Sequence, residues 1–248
     1  MSDAARIRAA IVETGRRLYA RGLIAGHEGN VSVRCGNELL VTPGGVCKGF
    51  LSPDDVVSTD LEGRARHGGR ATSEILMHAA VYRRRPDVTA VVHAHPPVAT
   101  GFAVAGLPLD RPVLAEPVVT LGPVPVIAYG TPSSADLADR VAAATASAHA
   151  LLLANHGALT VGETLERAWE RMETLEQFAR ITLVARLLGR EREIDGDFVA
   201  ALEALRTPAG YPPPPSAPPG RDKGGRSADG GPSGSAVPAA KRNPRSNP

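Results

Sequence analysis

Apolar residues recur along this chain in two rhythms, and the switches between them mark out the elements. From Asp3 to Arg21, Ile7, Ile11, Leu18 and Tyr19 fall at helical spacing and Gly22 supplies a stop, which predicts an amphipathic helix. The rhythm then shortens. Val31 to Arg34 alternates as a strand, Gly36-Asn37 turns it, and Glu38 to Val41 returns as its hairpin partner. Ser52 caps a short helix with Pro53 in its first position, and Val56 to Asp60 is a strand that turns at Leu61-Glu62-Gly63. A helix opens at Thr72 or Ser73, either suited to be its N-cap, and must end before Pro86. The β-branched run from Val88 to Val92, bounded by Pro86 and by Pro96-Pro97, reads as a buried strand.

The pattern continues with a helix from Pro97 to Ala105, a loop-rich stretch from Gly106 to Pro117, and a strand from Pro123 to Ala128. Ser133-Ser134 caps a helix through Ala146, and the strands Leu151 to His156 and Ala158 to Val161 follow. Thr164 caps the longest helix, to about Leu188, whose stripe of Leu165, Ala168, Trp169, Met172, Leu175, Ala179 and Leu183 is core or subunit contact. Phe198 to Leu205 adds a short last helix. At Thr207 the composition changes: eleven of the 22 prolines lie in the last 42 residues, with abundant Gly and Ser and almost no bulky apolar side chains. Such a segment buries too little surface to offset its ordering entropy, so a domain over 1–206 is expected to be followed by a disordered tail, 207–248.

Composition narrows the function classes. With 248 residues, 43% of them hydrophobic, there is material for a sizeable core. The chain carries 28 Lys/Arg and 26 Asp/Glu, but six of the former and two of the latter lie beyond residue 206, which leaves residues 1–206 at −2. A slightly acidic domain offers no nucleic-acid surface. Cys35 and Cys47 match no metal or redox pattern and fit a reducing compartment. The first residues lack a signal peptide's apolar stretch, and no apolar run approaches the ~20 residues of a membrane span, so the expectation is a cytoplasmic protein without membrane partners.

The candidate chemistry centres on histidine. His93 and His95 stand two apart at the end of a predicted strand and so point to one face. His156 ends another apolar run and is followed by Gly157, which permits close approach. Three neutral imidazoles suit a divalent metal such as zinc and leave a coordination position open for substrate. Glu74, in the first turn of its helix, is explained by the helix dipole or as a base beside that metal. His78, one turn on, is read as a packed helix residue rather than a ligand. Two loops, Gly26 to Asn30 and Thr42 to Gly45, are ordinary turns or a nest of N–H donors for an anion such as phosphate, which the helix start at Thr72-Ser73 would also attract. There is no P-loop pattern.

Gly29-Asn30-Val31-Ser32, Thr42-Pro43-x-Gly45, Ser73-Glu74 with Met77-His78, His93-x-His95 and Asn155-His156-Gly157 occur in an order that resembles the class II aldolase/adducin head family, over about residues 5–190. The resemblance implies a single three-layer α/β/α domain with a central, mostly antiparallel sheet, assembled as a homotetramer with active sites near subunit interfaces. It implies His93, His95 and His156 as ligands of Zn2+, or of Mn2+ or Co2+, with Glu74 both beside the metal and serving as general base. It places Gly29, Asn30, Thr42, Gly44, Thr72 and Ser73 at the substrate phosphate. The implied activity is cleavage of a ketose 1-phosphate, of the L-fuculose 1-phosphate kind, to dihydroxyacetone phosphate and an aldehyde. Within the same family stand pentulose-phosphate 4-epimerases, methylthioribulose-1-phosphate dehydratases, decarboxylases and the non-catalytic adducin assembly module. Glu74 is then expected to have a pKa raised toward neutrality. The family's aldolases carry a Tyr for the aldehyde side in the region matching Leu109 to Pro117, where this chain has none and has Glu116 instead. Lys48 is expected to be a solvated loop residue rather than a contact of the substrate phosphate.

Overall fold

The computed structural model describes residues 2–215. Its elements are α1 (Asp3–Ala20), β1 (Asn30–Cys35), β2 (Glu38–Val41), β3 (Val57–Thr59), β4 (Ala65–His67), α2 (Ile75–Arg84), β5 (Ala90–Ala94), α3 (Pro97–Ala105), α4 (Ala115–Thr120), β6 (Val126–Ile127), α5 (Ala135–Ala144), β7 (Ala150–Leu153), β8 (Gly157–Gly162), α6 (Leu165–Leu187) and α7 (Gly196–Ala204). The strands form one sheet of eight in the order β4-β3-β2-β1-β5-β8-β7-β6, antiparallel throughout except for the edge pair β6–β7. This is the three-layer α/β/α arrangement with a mostly antiparallel sheet.

Period-two alternation builds the layers. Leu39, Val41, Val57, Val91, Leu151, Leu153, Leu159 and Val161 face one side and pack under α2 and α5. Their neighbours Leu40, Val31, Val33, Ala90, Val92, Ala94, Leu152 and Ala158 face the other side, under α1, α3 and α6. Both faces are therefore apolar, and the central strands β5, β7 and β8 are buried along their whole length. Each Val or Leu so covered contributes about 1.5–3 kcal/mol. That repeated burial sets the register, because a slip of one residue would turn every side chain to the wrong layer.

Several elements differ from expectation. The edge strand β4 lies beyond the turn at Gly63 and has no burial signature, all three residues being exposed. The helix α4 stands inside the stretch expected to be loop, and the expected strand 151–156 ends at Leu153, after which Asn155 takes φ +55 in a tight turn. The α2 N-cap is Glu74 rather than Thr72 or Ser73. Ile75 N–H bonds to Thr72 O in a turn preceding the helix, and the Thr72 hydroxyl accepts from Glu74 N–H instead of capping α2. Along α6 the apolar stripe is core from Leu165 to Ala179, while Leu183 is 39% exposed.

Residues 207–215, grouped with the tail on composition, carry contacts. Tyr211 stacks on Arg167, ring centroid to guanidinium 4.1 Å, and bonds to Glu170 at 3.1 Å, while His149 Nε2 donates to Pro212 O at 2.9 Å. The remainder of the expected tail lies outside the described residues.

Candidate metal centre and active site

Register brings the site together. Asn30 pairs with His93 across β1–β5, and His93 pairs with Leu159 across β5–β8, so the ends of three strands meet. His93 and His95 leave β5 on the α2 side of the sheet. His156 follows β7 through the Asn155 turn, where its N–H bonds to Leu153 O at 3.0 Å. Gly157 is required by space: a Cβ there would stand 2.5 Å from His95 Cδ2 and 2.6 Å from Ala94 O.

The three rings are 4.8–5.2 Å apart, centroid to centroid, and one nitrogen of each falls within 4.8 Å of the others. His93 Nδ1 donates to Ala158 O at 2.8 Å, which fixes the tautomer and leaves Nε2 with a lone pair toward the cluster. That Nε2 is 3.2 Å from His95 Nε2. Two nitrogens each about 2.0–2.1 Å from a tetrahedral zinc stand roughly 3.3 Å apart. The spacing and the donor set thus fit a divalent cation, and the His cluster could hold one.

Glu74, at the start of α2, completes the group. Its Oε2 is 3.1 Å from His93 Nε2 and accepts from Asn30 Nδ2 at 2.9 Å; its Oε1 is 3.2 Å from His156 Nε2. Burial by itself raises a carboxyl pKa, but the positive field of His93 and His156 and the Asn30 N–H outweigh it, and Glu74 is held well below the ordinary carboxylate range. The expectation of a raised value is corrected: without a metal, the charge of the neighbouring imidazoles outweighs burial and lowers it. His93 is raised, because attraction and hydrogen bonding to Glu74 exceed its burial penalty. Burial and the neighbouring His93 push His156 down to about 4 and lower His95.

The expected phosphate residues gather beside this group as two loops pinned together. Thr72 N–H bonds to Thr42 O at 3.2 Å and Gly44 N–H to Arg70 O at 3.2 Å. The Thr42 hydroxyl is buried and accepts from Val31 N–H at 3.1 Å, and both ends of the Asn30 amide are bonded inside the protein. Gly29 has φ +67 and faces the His93 carbonyl so closely that a Cβ would lie 2.9 Å from it. Ser73 is exposed.

Of three further residues here, one went unread in the sequence, one was misplaced and one was read without its partners. Glu28, in the Gly26–Asn30 loop, has Oε1 3.5 Å from His95 Nδ1. Lys48 is not solvated: it is 2% exposed, and its ammonium ties down that same loop by donating to His27 O at 2.6 Å and to Val46 O at 2.9 Å. Burial lowers its pKa. His78 is packed and hydrogen-bonded as expected, but to Asn30 and Ser32, which no local signal indicated.

Residues 9–183 match the family described as Class II Aldolase and Adducin N-terminal domain. The chain belongs to this family. Among curated relatives of this chain, a 3-oxo-tetronate 4-phosphate decarboxylase of Escherichia coli is 34% identical over 194 residues, 74% of this chain and 91% of the relative. An L-fuculose phosphate aldolase of Methanococcus maripaludis is 33% identical over 167 residues, 67% and 91% of the two chains. The crystal structure of L-fuculose-1-phosphate aldolase from Thermus thermophilus superposes with a TM-score of 0.69 at 40% identity, covering 75% of this chain and 96% of that one. Among the described residues no helix is long and apolar enough to cross a membrane.

Proposed function

We propose that this protein is a metal-dependent carbon–carbon lyase that releases the enediolate of dihydroxyacetone phosphate from a phosphorylated sugar-type substrate. The observation that carries the reading is one buried carboxylate, Glu74, in contact with two of three imidazoles whose free nitrogens converge. His93, His95 and His156, with Glu74 alongside, would hold Zn2+, or Mn2+ or Co2+ in its place, which would supply Lewis acidity to the substrate. Glu74 moves the proton at the carbon next to the carbonyl, giving it to the enediolate on cleavage and taking it in the reverse direction. The loops around Gly29, Asn30, Thr42 and Gly44, with Thr72 and Ser73, orient the phosphate. Of these, Ser73 offers an exposed hydroxyl, while Asn30 and Thr42 act through the loop geometry they hold.

Two substrates lead to that enediolate. Cleavage of a ketose 1-phosphate expels an aldehyde, and the departing hydroxyl must give up its proton to a base. Loss of carbon dioxide from a 3-oxo-tetronate 4-phosphate needs no such base. Our first reading is the aldol cleavage, in keeping with the aldolases among its relatives. The absence of Tyr from Leu109 to Pro117, where the acids are Asp110 and Glu116, both exposed, favours decarboxylation as the second.

The deciding experiment incubates the zinc-, manganese- or cobalt-loaded protein with ketose 1-phosphates and with 3-oxo-tetronate 4-phosphate. Dihydroxyacetone phosphate accompanied by an aldehyde selects the first reading, and accompanied by carbon dioxide the second. Release from neither substrate class overturns the lyase proposal. We further propose a homotetramer, supported by the exposed apolar end of α6, where Val184, Leu187 and Leu188 are 54%, 78% and 74% exposed. The free thiols Cys35 and Cys47 support a cytoplasmic location.

A further inference from the structure

From Glu74 a row of polar side chains runs inward, and three of them, Ser32, His78 and Tyr82, have no direct use in the proposed chemistry. Glu74, His78 and Tyr82 are four residues apart and form one stripe along α2. Asn30 and Ser32 are two apart and share one face of β1. The two stripes interlock. Glu74 Oε2 accepts from Asn30 Nδ2 at 2.9 Å, Asn30 Oδ1 lies 2.5 Å from His78 Nε2, and His78 Nδ1 lies 2.7 Å from Ser32 Oγ. The Tyr82 hydroxyl reaches Ser32 Oγ at 2.8 Å and donates to Ser32 O at 2.9 Å. None of these five side chains belongs to a residue more than 9% exposed.

Donor and acceptor roles along this row follow from chemistry. An amide oxygen only accepts, so His78 Nε2 carries the proton and Nδ1 accepts from Ser32. An ionised carboxylate also only accepts, so the Asn30 NH2 faces Glu74 and Oδ1 faces His78, and the two contacts together hold the amide in one orientation. Oε2 is thereby anchored. Oε1 is buried without a hydrogen-bond partner, although His156 Nε2 lies 3.2 Å away. A side chain wanted only for volume would be apolar at position 78, because every buried polar group requires a partner.

We propose that His78 is a positioning residue which, through Asn30, fixes Glu74 so that Oε1 and not Oε2 handles the proton, with Ser32 and Tyr82 holding the His78 tautomer. The proposal deepens the lyase reading and rests on it for the proton that Oε1 moves. The row itself does not.

The test compares His78→Phe, His78→Asn and His78→Gln in the full-length, metal-loaded protein. Gln can donate to Asn30 and accept from Ser32 across the same span; Asn is too short and Phe has no donor. In the first two variants kcat falls about ten- to a hundredfold, the scale of a misaligned catalytic group, with metal content unchanged and KM within about twofold. Gln restores most of the loss. Wild-type kcat in both Phe and Asn variants, or equal losses in all three, overturns the proposal. A readout free of substrate is the nitrogen-15 spectrum of the wild-type imidazoles: His78 shows the Nε2–H tautomer, and an Nδ1–H tautomer overturns the row. Should the wild type act on no substrate offered, the lyase reading fails while the spectrum still decides the arrangement of His78.

Discussion

His93 and His78 both stand beside Asn30 and both are fully buried, yet the two regions they belong to behave as opposites. His93 is raised, because the Glu74 carboxylate 3.1 Å from its Nε2 more than offsets burial. His78 is pushed down to about 3 by burial and by the positive field of His93, which the Glu74 charge does not offset. One ring keeps a nitrogen directed at an open cluster of imidazoles; the other has both nitrogens engaged by an amide and a hydroxyl. Burial is common to the two and so cannot be what separates a candidate ligand from a packed histidine. The partners decide it.

The largest test of that contrast is removal of one member from the open cluster. His95→Ala should lose bound metal, measured by elemental analysis, and turnover should fall roughly 10³-fold or more, beyond the loss of a single transition-state contact. Glu74→Gln should keep the metal and lose about 10²–10⁴ in kcat. Metal retained at wild-type level in the first variant, or normal turnover in the second, would break the division of roles. A smaller effect follows from crowding the cluster. Gly157→Ala sets a methyl against His95 and the Ala94 carbonyl. It should destabilise the fold by about 1–3 kcal/mol and weaken metal affinity about 10- to 100-fold. Unchanged affinity in a metal titration would show that His95 can move aside.

Protons sharpen the comparison in the metal-free protein. Glu74, lowered from an ordinary 4.5, adds stability above that value and loses it as the solution is acidified through its folded pKa. His93, raised from an ordinary 6.5, adds stability that is complete below that value and vanishes as pH rises through its folded pKa. The melting difference between wild type and Glu74→Gln should therefore be widest between about pH 4.5 and 6.5 and shrink above it. A difference that grows toward pH 9 would mean the pair is not an ion pair. The smallest effect concerns a region far from both histidines. Ending the chain after Pro215 should leave the melting temperature unchanged. Ending it after Arg206 removes Tyr211 from Arg167 and Glu170 and should cost about 1–2 kcal/mol, or several degrees, with turnover preserved.

Much of the frame was legible in order along the chain. The alternation in Val31–Arg34 and the apolar runs of Val88–Val92 and Leu151–Ala154 mark buried strands, the runs because both faces of a central strand are covered. The caps Ser134 and Thr164 act where expected, each accepting a backbone N–H three residues on. What escaped has a common cause. β4 is exposed on all three residues, so no apolar period announces it. Glu74 heads α2 without a capping bond because its carboxylate is drawn to the histidines, a pull from another part of the chain. Lys48 reads as a surface residue until the 26–30 loop folds over it.

The chain by itself determined which imidazoles are the candidate metal ligands, since His-x-His at a strand end and Asn-His-Gly at another are local patterns with a local stereochemistry. It also determined the two apolar faces of the sheet. Only the tertiary structure decided the charge state and aim of Glu74, because both depend on side chains 19, 44 and 82 positions away that the sheet register brings within hydrogen-bonding reach. Electrostatic fields act through space, and sequence spacing carries no measure of that distance.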